Sequence, residues 1–133
     1  MTTYTAFVAA LVNMSVTGQT SLSAPPESVT GKVPARWPMP PSGDAAMLVM
    51  GGDGYTRTMR VELRVAVQAV GQSTTGAEYT NTLTAMDNLE AALQTLNDTA
   101  AYQMGWTFTM TMVEVGGMSY YGLTCLVTAV DIT

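Results

Sequence analysis

The sequence predicts an α+β fold: a mostly antiparallel sheet of about four to five strands with two helices packed on it, in one domain over residues 1–133. Three observations predict it. The stretch "TMRVELRVAVQAV", Thr58 to Val70, sorts by parity, with Met59, Val61, Leu63, Val65, Val67 and Ala69 on one side and Arg60, Glu62, Arg64, Ala66, Gln68 and Val70 on the other. That is the period of two of an extended strand with one buried face. Two other stretches carry apolar residues at intervals of three and four, and paired glycines separate the alternating runs in the C-terminal half.

Taken in order, "TTYTAFVAALVNM" places Tyr4, Phe7, Val8 and Leu11 at helical spacing, with Thr2 or Thr3 as N-cap, so a helix is expected over residues 3–14. From Ser15 to Gly43 the composition turns to Ser, Thr and Gly and holds all six prolines, in segments such as "APPES" and "RWPMPPSGD". Prolines lack an N–H and fix φ, so this region reads as a long loop with at most short edge strands around Ser28 to Val33. A loop of that length in a small domain is usually functional. Arg36, Trp37 and Met39 within it are therefore expected to form a partner-docking arm in preference to a self-packed surface loop.

Ala45 to Met50, "AAMLVM", reads as a short buried strand, "GGDG" as its turn, and Tyr55 to Val70 as the long strand. In "AEYTNTLTAMDNLEAALQTL", Tyr79, Leu83, Met86, Leu89, Leu93 and Leu96 form a helical stripe, and Thr75 with Glu78 matches a capping box. "WTFTMTMVEV" alternates Trp106, Phe108, Met110 and Met112 with Thr107, Thr109 and Thr111, and "SYYGLTCLVTAVDI" supplies its hairpin partner across Gly116 and Gly117. The order is helix, long loop, hairpin, helix, hairpin.

Five Lys and Arg against ten Asp and Glu leave a formal charge of −5, and charged residues make up only 11% of the chain. A typical domain carries about a quarter. So sparse a charge, with 47% apolar residues, points to a surface partly covered in an oligomer. The acidic balance opposes attraction to phosphate backbones and suits a surface past which DNA slides without sticking. The longest apolar run near the N-terminus, Ala6 to Val12, is too short to span a bilayer, and no basic stretch precedes it. The expected location is the cytoplasm or a particle assembled there.

The chain has no histidine and one cysteine, Cys125, which excludes His-based triads, Cys-His pairs and thiolate clusters. The glycine pairs match neither a P-loop nor a dinucleotide fingerprint. Asp87 and Glu90 stand one turn apart on the second helix and read as solvated or interfacial charges rather than as a catalytic pair. No enzymatic activity, cofactor or metal is expected. Four charged groups, Arg57, Arg60, Glu62 and Arg64, gather on one strand. They are either a solvated face with cross-strand ion pairs or contacts to neighbouring subunits, for which the arginine fork is suited.

The helix "YTAFVAAL", the proline-bearing loop leading to "AAMLVMGG", the strand "YTRTMRVELRVAVQA", the helix segment "AMDNLEAAL", and "GWTFTMTMVEV" followed by "YYGLTCLVTAVDI" together cover nearly the whole chain. In this order they resemble the tail terminator proteins of long, non-contractile-tailed bacteriophages. The resemblance implies a virion structural protein of the tail and neck: a homo-hexameric ring that caps the tail tube, ends its polymerisation, and meets the head-completion or connector protein. Genomic DNA passes through its lumen without specific binding, and no membrane is involved. It places Arg57, Arg60, Glu62 and Arg64 against an adjoining subunit, the lumen or the tube, and the chain departs from the family pattern at Ser15 to Gly43, where Arg36, Trp37 and Met39 lie. The alternatives are a tail tube or head-tail connector ring protein, or a small ligand-binding α+β domain with an apolar pocket.

Overall fold

The structure is a computed structural model that describes residues 3–47, 55–70, 76–100 and 102–132. In chain order the elements are α1 (Tyr4–Asn13), β1 (Thr20–Ser21), β2 (Ala35–Pro38), β3 (Ser42–Met47), β4 (Tyr55–Ala69), α2 (Ala77–Thr99), β5 (Gln103–Val115) and β6 (Met118–Ile132). The fold is α+β, with a sheet in the order β1-β2-β4-β6-β5 and β3 also paired to β4. All pairings are antiparallel except β1 with β2. The sheet has six strands rather than four or five because the proline-bearing segment contributes to it. β2 pairs with Leu63 to Ala66 of β4 and β3 with Tyr55 to Arg60, so the two lie end to end along one side of the long strand. Pro40 and Pro41, which have no N–H to give, mark the break, and the Met39 N–H still donates to the Glu62 carbonyl at 2.8 Å.

Both helices cover the same face of the sheet. The Thr3 hydroxyl accepts from the Ala6 N–H at 3.1 Å and caps α1, which buries Phe7 and Leu11. They meet Met59, Val61, Leu63 and Val65 of β4, Leu123, Cys125 and Val127 of β6, and Leu89 and Leu93 of α2. Phe7 also meets the Tyr102 ring edge-on, with centroids 5.6 Å apart.

The N-cap of α2 is Gly76, at φ 81°, with no side-chain bond of its own, and the expected capping box falls on Thr75, which lies outside the described residues. The buried stripe of α2 is also rotated from the expected one: Thr82, Ala85, Leu89 and Leu93 are buried, while Tyr79 and Leu83 are exposed. Opposite the first turns the sheet presents Gln68, whose side-chain Oε1 accepts from the Asn81 side-chain amide at 3.0 Å, so this end of α2 faces a polar neighbour rather than core.

The parity of β4 holds from Met59 to Val67 and then breaks. The register against β6 slips between Ala66 and Gln68, so Gln68 points to the helix side and Ala69 packs on the other face with Ala66. A bulge adds one unpaired residue, which reverses the alternation beyond it. Ala69, expected with Val67, therefore belongs to the opposite cluster.

That cluster is built by the segment read as a loop. Val29, Ala35 and Trp37, with Leu22, Val33 and Met39 beside them, pack over Ala66, Ala69, Val113, Val115 and Tyr120. The short strands are at Thr20–Ser21 and Ala35–Pro38, not around Ser28 to Val33. A Cβ at Gly116 would collide with the Glu27 carbonyl, so the β5–β6 turn needs glycine both for φ 59° and for the close approach of this segment. The strand expected at Ala45 to Met50 begins earlier, at Ser42, and Ser42 to Ala46 are exposed rather than buried because β3 lies at the sheet margin. Residues 48–54, with the "GGDG" turn, lie outside the described residues.

Candidate interaction surfaces

The face of the sheet turned away from the helices has two halves. The segment from Leu22 to Met39 roofs one. The other is open: β4 contributes Arg60, Glu62 and Arg64, opposite Thr128, Leu126 and Thr124 of β6, which in turn stand opposite Gly105, Thr107 and Thr109 of β5. Leu126, 45% exposed, is at the centre of this open half. The "TFTMTM" alternation already put the threonines on one side of β5, but only the register brings them beside the charges of β4.

Those charges are satisfied within the chain. Arg60 Nη1 is 3.2 Å from Asp44 Oδ2 on β3, and Arg64 Nε is 3.0 Å from Glu62 Oε2 on its own strand. Two cations and two anions cancel, and pairs this exposed contribute only about 0.2–1 kcal/mol each. Arg57 does not belong with them. Its odd position turns it to the helix side, where its guanidinium lies 5.3 Å from the centroid of the Tyr4 ring and opposite Asp131 in the register. The expected group of four charges is thus a group of three on the open face, joined by Asp44.

Arg36 and Trp37, expected on a docking arm, are 2% and 3% exposed and are held by their own chain. β2 turns them to opposite faces. Arg36 points to the helix side, where Nη2 donates to the carbonyls of Val12, at 3.2 Å, and Met14, with the Leu11 carbonyl at 3.5 Å. These are among the carbonyls a helix C-terminus leaves without partners, and a cation there also complements the helix dipole. Burial pulls the Arg36 guanidinium below its ordinary pKa. Trp37 points into the roof, opposite Arg64 in the register. Met39 is half-buried beside it. Arginine next to tryptophan among prolines is the composition of a binding arm and equally of a strand whose two faces are both covered, and sequence alone does not separate them.

On the helix side, Tyr4, Val8, Val12 and Pro41 line an apolar groove of about 520 Å³ along the outer flank of α1. A cleft of about 480 Å³ between α2 and the Thr17–Gln19 turn is mixed instead, with the amides of Gln19, Gln68, Asn81 and Asn88 beside Pro34, Val67 and Ala85. Sequence periodicity had not marked the α1 groove, because Tyr4 and Val8 were assigned to the core face. The Glu90 carboxylate accepts from the Trp106 indole N–H at 3.0 Å, while Asp87 is exposed. Cys125 is fully buried, and burial, then the Glu90 charge, push its thiol up to about 12. Among the described residues no group of three metal-ligating side chains converges, and no helix is long and apolar enough to cross a membrane. No protein-family model matches the chain, and no curated protein matches it.

Proposed function

We propose that this chain is a structural assembly subunit of the tail terminator kind, closing into a ring that caps a phage tail tube, ends its growth and meets the head-completion or connector protein. One observation carries the reading beyond the order of elements. The subunit has two unlike surfaces on opposite sides, the Thr-rich open sheet face around Leu126 and the apolar groove on α1. A ring needs such a pair: its contact is heterologous, one patch of each subunit meeting a different patch of the next, and it ends when the rotation closes. The self-neutralised charges of Asp44, Arg60, Glu62 and Arg64 add no strong field to the open face, and the formal charge of −5 disfavours retention of DNA in a lumen.

The test is the solution mass by light scattering, with negative-stain images of the main species. A finite ring of about six subunits with an open centre is the expected result. Stacked tubes assign the chain to the tail tube instead, and a monomer both in isolation and with tail tube overturns the reading. Arg60→Ala with Arg64→Ala weakens ring assembly while leaving the unfolding midpoint in place. An intact ring in that double variant removes the open face from the contact.

A further inference from the structure

We infer that β5 is a pairing edge for a second copy of this chain, joined antiparallel about a two-fold axis at Thr109. The two margins of the sheet differ in a way that points to this. Along the opposite margin, formed by β1, the rest of β2 and β3, strands are short and interrupted, and Pro38, Pro40, Pro41 and Asp44 obstruct pairing. β5 is thirteen residues long, keeps an unbroken register with β6, and has no proline and no charged residue from Gln103 to Val113. Edges left to solvent are normally blunted by Lys, Pro, bulges or brevity, and the long edge of β5 has none of these.

The direction of its backbone groups follows from the turn. Gly116 and Gly117, at φ 59° and 79°, make a two-residue hairpin that closes on the pair Val115 and Met118. Such a closing pair is hydrogen-bonded, so the odd residues of β5 turn their N–H and C=O to β6 and the even residues turn theirs outward. Met104 agrees with this assignment: its N–H leaves the sheet and donates to Asn97 Oδ1 at 2.9 Å. The chain thereby caps the first position of the edge, and no strand pairs with the outward groups of Trp106, Phe108, Met110 and Met112 among the described residues.

Those four residues are centred on Thr109, the midpoint of the strand. An antiparallel second copy about that point sets Met110 opposite the second copy's Phe108, and Met112 opposite its Trp106, all in hydrogen-bonded pairs. The result is roughly eight backbone bonds, near the roughly ten of a typical interface. On the helix side Met110 and Met112, 36% and 53% exposed beside Tyr79, meet aromatic rings with which a thioether packs well. On the other face Thr109 meets Thr109, and Thr107 meets Thr111, in the closer non-hydrogen-bonded pairs. Glu114 falls opposite Met104, so no like charges oppose. With about a dozen residues a side, against the roughly 20–30 of a stable standard interface, the pair is weak and concentration-dependent. This contact is isologous, whereas ring closure is heterologous, so it stands whether or not a ring forms.

Cysteine substitutions in the full chain test the register. A cysteine at the two-fold meets its own copy at a Cα separation of about 4.5 Å, within the disulfide range, and native Cys125 is buried. Under a mild oxidant, Thr109→Cys gives covalent dimer on a non-reducing gel about tenfold faster than Thr107→Cys or Thr111→Cys alone, because pairing raises the local thiol concentration. An equimolar mixture of the last two recovers the fast rate. Equal rates for the three single variants, or no dimer from Thr109→Cys, overturn the inference. Thr109→Lys, which sets two charges against each other on an exposed position, halves the mass of the concentrated protein at sedimentation equilibrium. A mass unchanged from wild type, with the circular dichroism spectrum preserved, overturns it equally.

Discussion

The two halves of the outer sheet face are made of the same three long strands, yet one is a core and the other a surface. Under the segment from Leu22 to Met39, β4, β5 and β6 present Ala66, Ala69, Val113, Val115 and Tyr120, small or apolar, and the roof fills the space with Val29 and Trp37. A few residues along the same strands, the inventory becomes Arg60, Glu62, Arg64, Thr107, Thr109 and Thr124, and none of the described residues roofs it. The difference teaches that the proline-rich segment is a structural layer. It ends where the paired charges begin, with Trp37 and Arg64 side by side at the boundary. Removing Ala35 to Pro41 would therefore take away β2 and unroof a core rather than trim a docking arm.

Substitutions break or sharpen this contrast. The largest effect is expected at Trp37→Ala, which empties the roofed half and costs about 3–5 kcal/mol in chemical denaturation. Gly122→Ala comes next. Its Cβ would collide with the Val65 carbonyl and crowd Val113, and overpacking of this kind costs about 1–3 kcal/mol, read as a lowered unfolding midpoint.

Cys125, on the helix-covered face, calibrates the open one. Its folded pKa, raised from the ordinary 9.0 to about 12, keeps the proton on in the native state while the unfolded thiol loses it. Stability linked to it is therefore complete below pH 9 and falls as pH rises from about 9 to about 12. Cys125→Ala flattens that slope, and an unchanged slope would place the alkaline titration elsewhere. The smallest effect on folding belongs to the open half: Leu126→Thr shifts stability by no more than about 0.5 kcal/mol, while the mass of the assembled species falls.

Much of the fold was legible. β4 announced itself by alternation, α1 by Phe7 and Leu11 four residues apart, and the β5–β6 hairpin by Gly116 and Gly117, since each signal is local and its period matches one type of backbone. The misread features all depended on distant residues. Nothing near Arg36 in sequence says that the end of α1 needs a cation, and nothing near Tyr79 says that Gln68 faces the first turns of its helix. The bulge that moves Ala69 to the other face exists only against β6.

The candidate surfaces divide in the same way. Their raw material, three charges on alternate residues of β4 and three threonines on alternate residues of β5, was visible because side-chain direction along a strand repeats every two residues. That these rows share one open face, that Arg57 leaves the group for Tyr4, and that Trp37 is enclosed, followed only from strand order and register. Sequence by itself determined which residues alternate and where the chain turns, because those are properties of neighbours along the backbone. The tertiary structure decided which faces are covered, because burial depends on pairing between segments that the chain brings together from far apart.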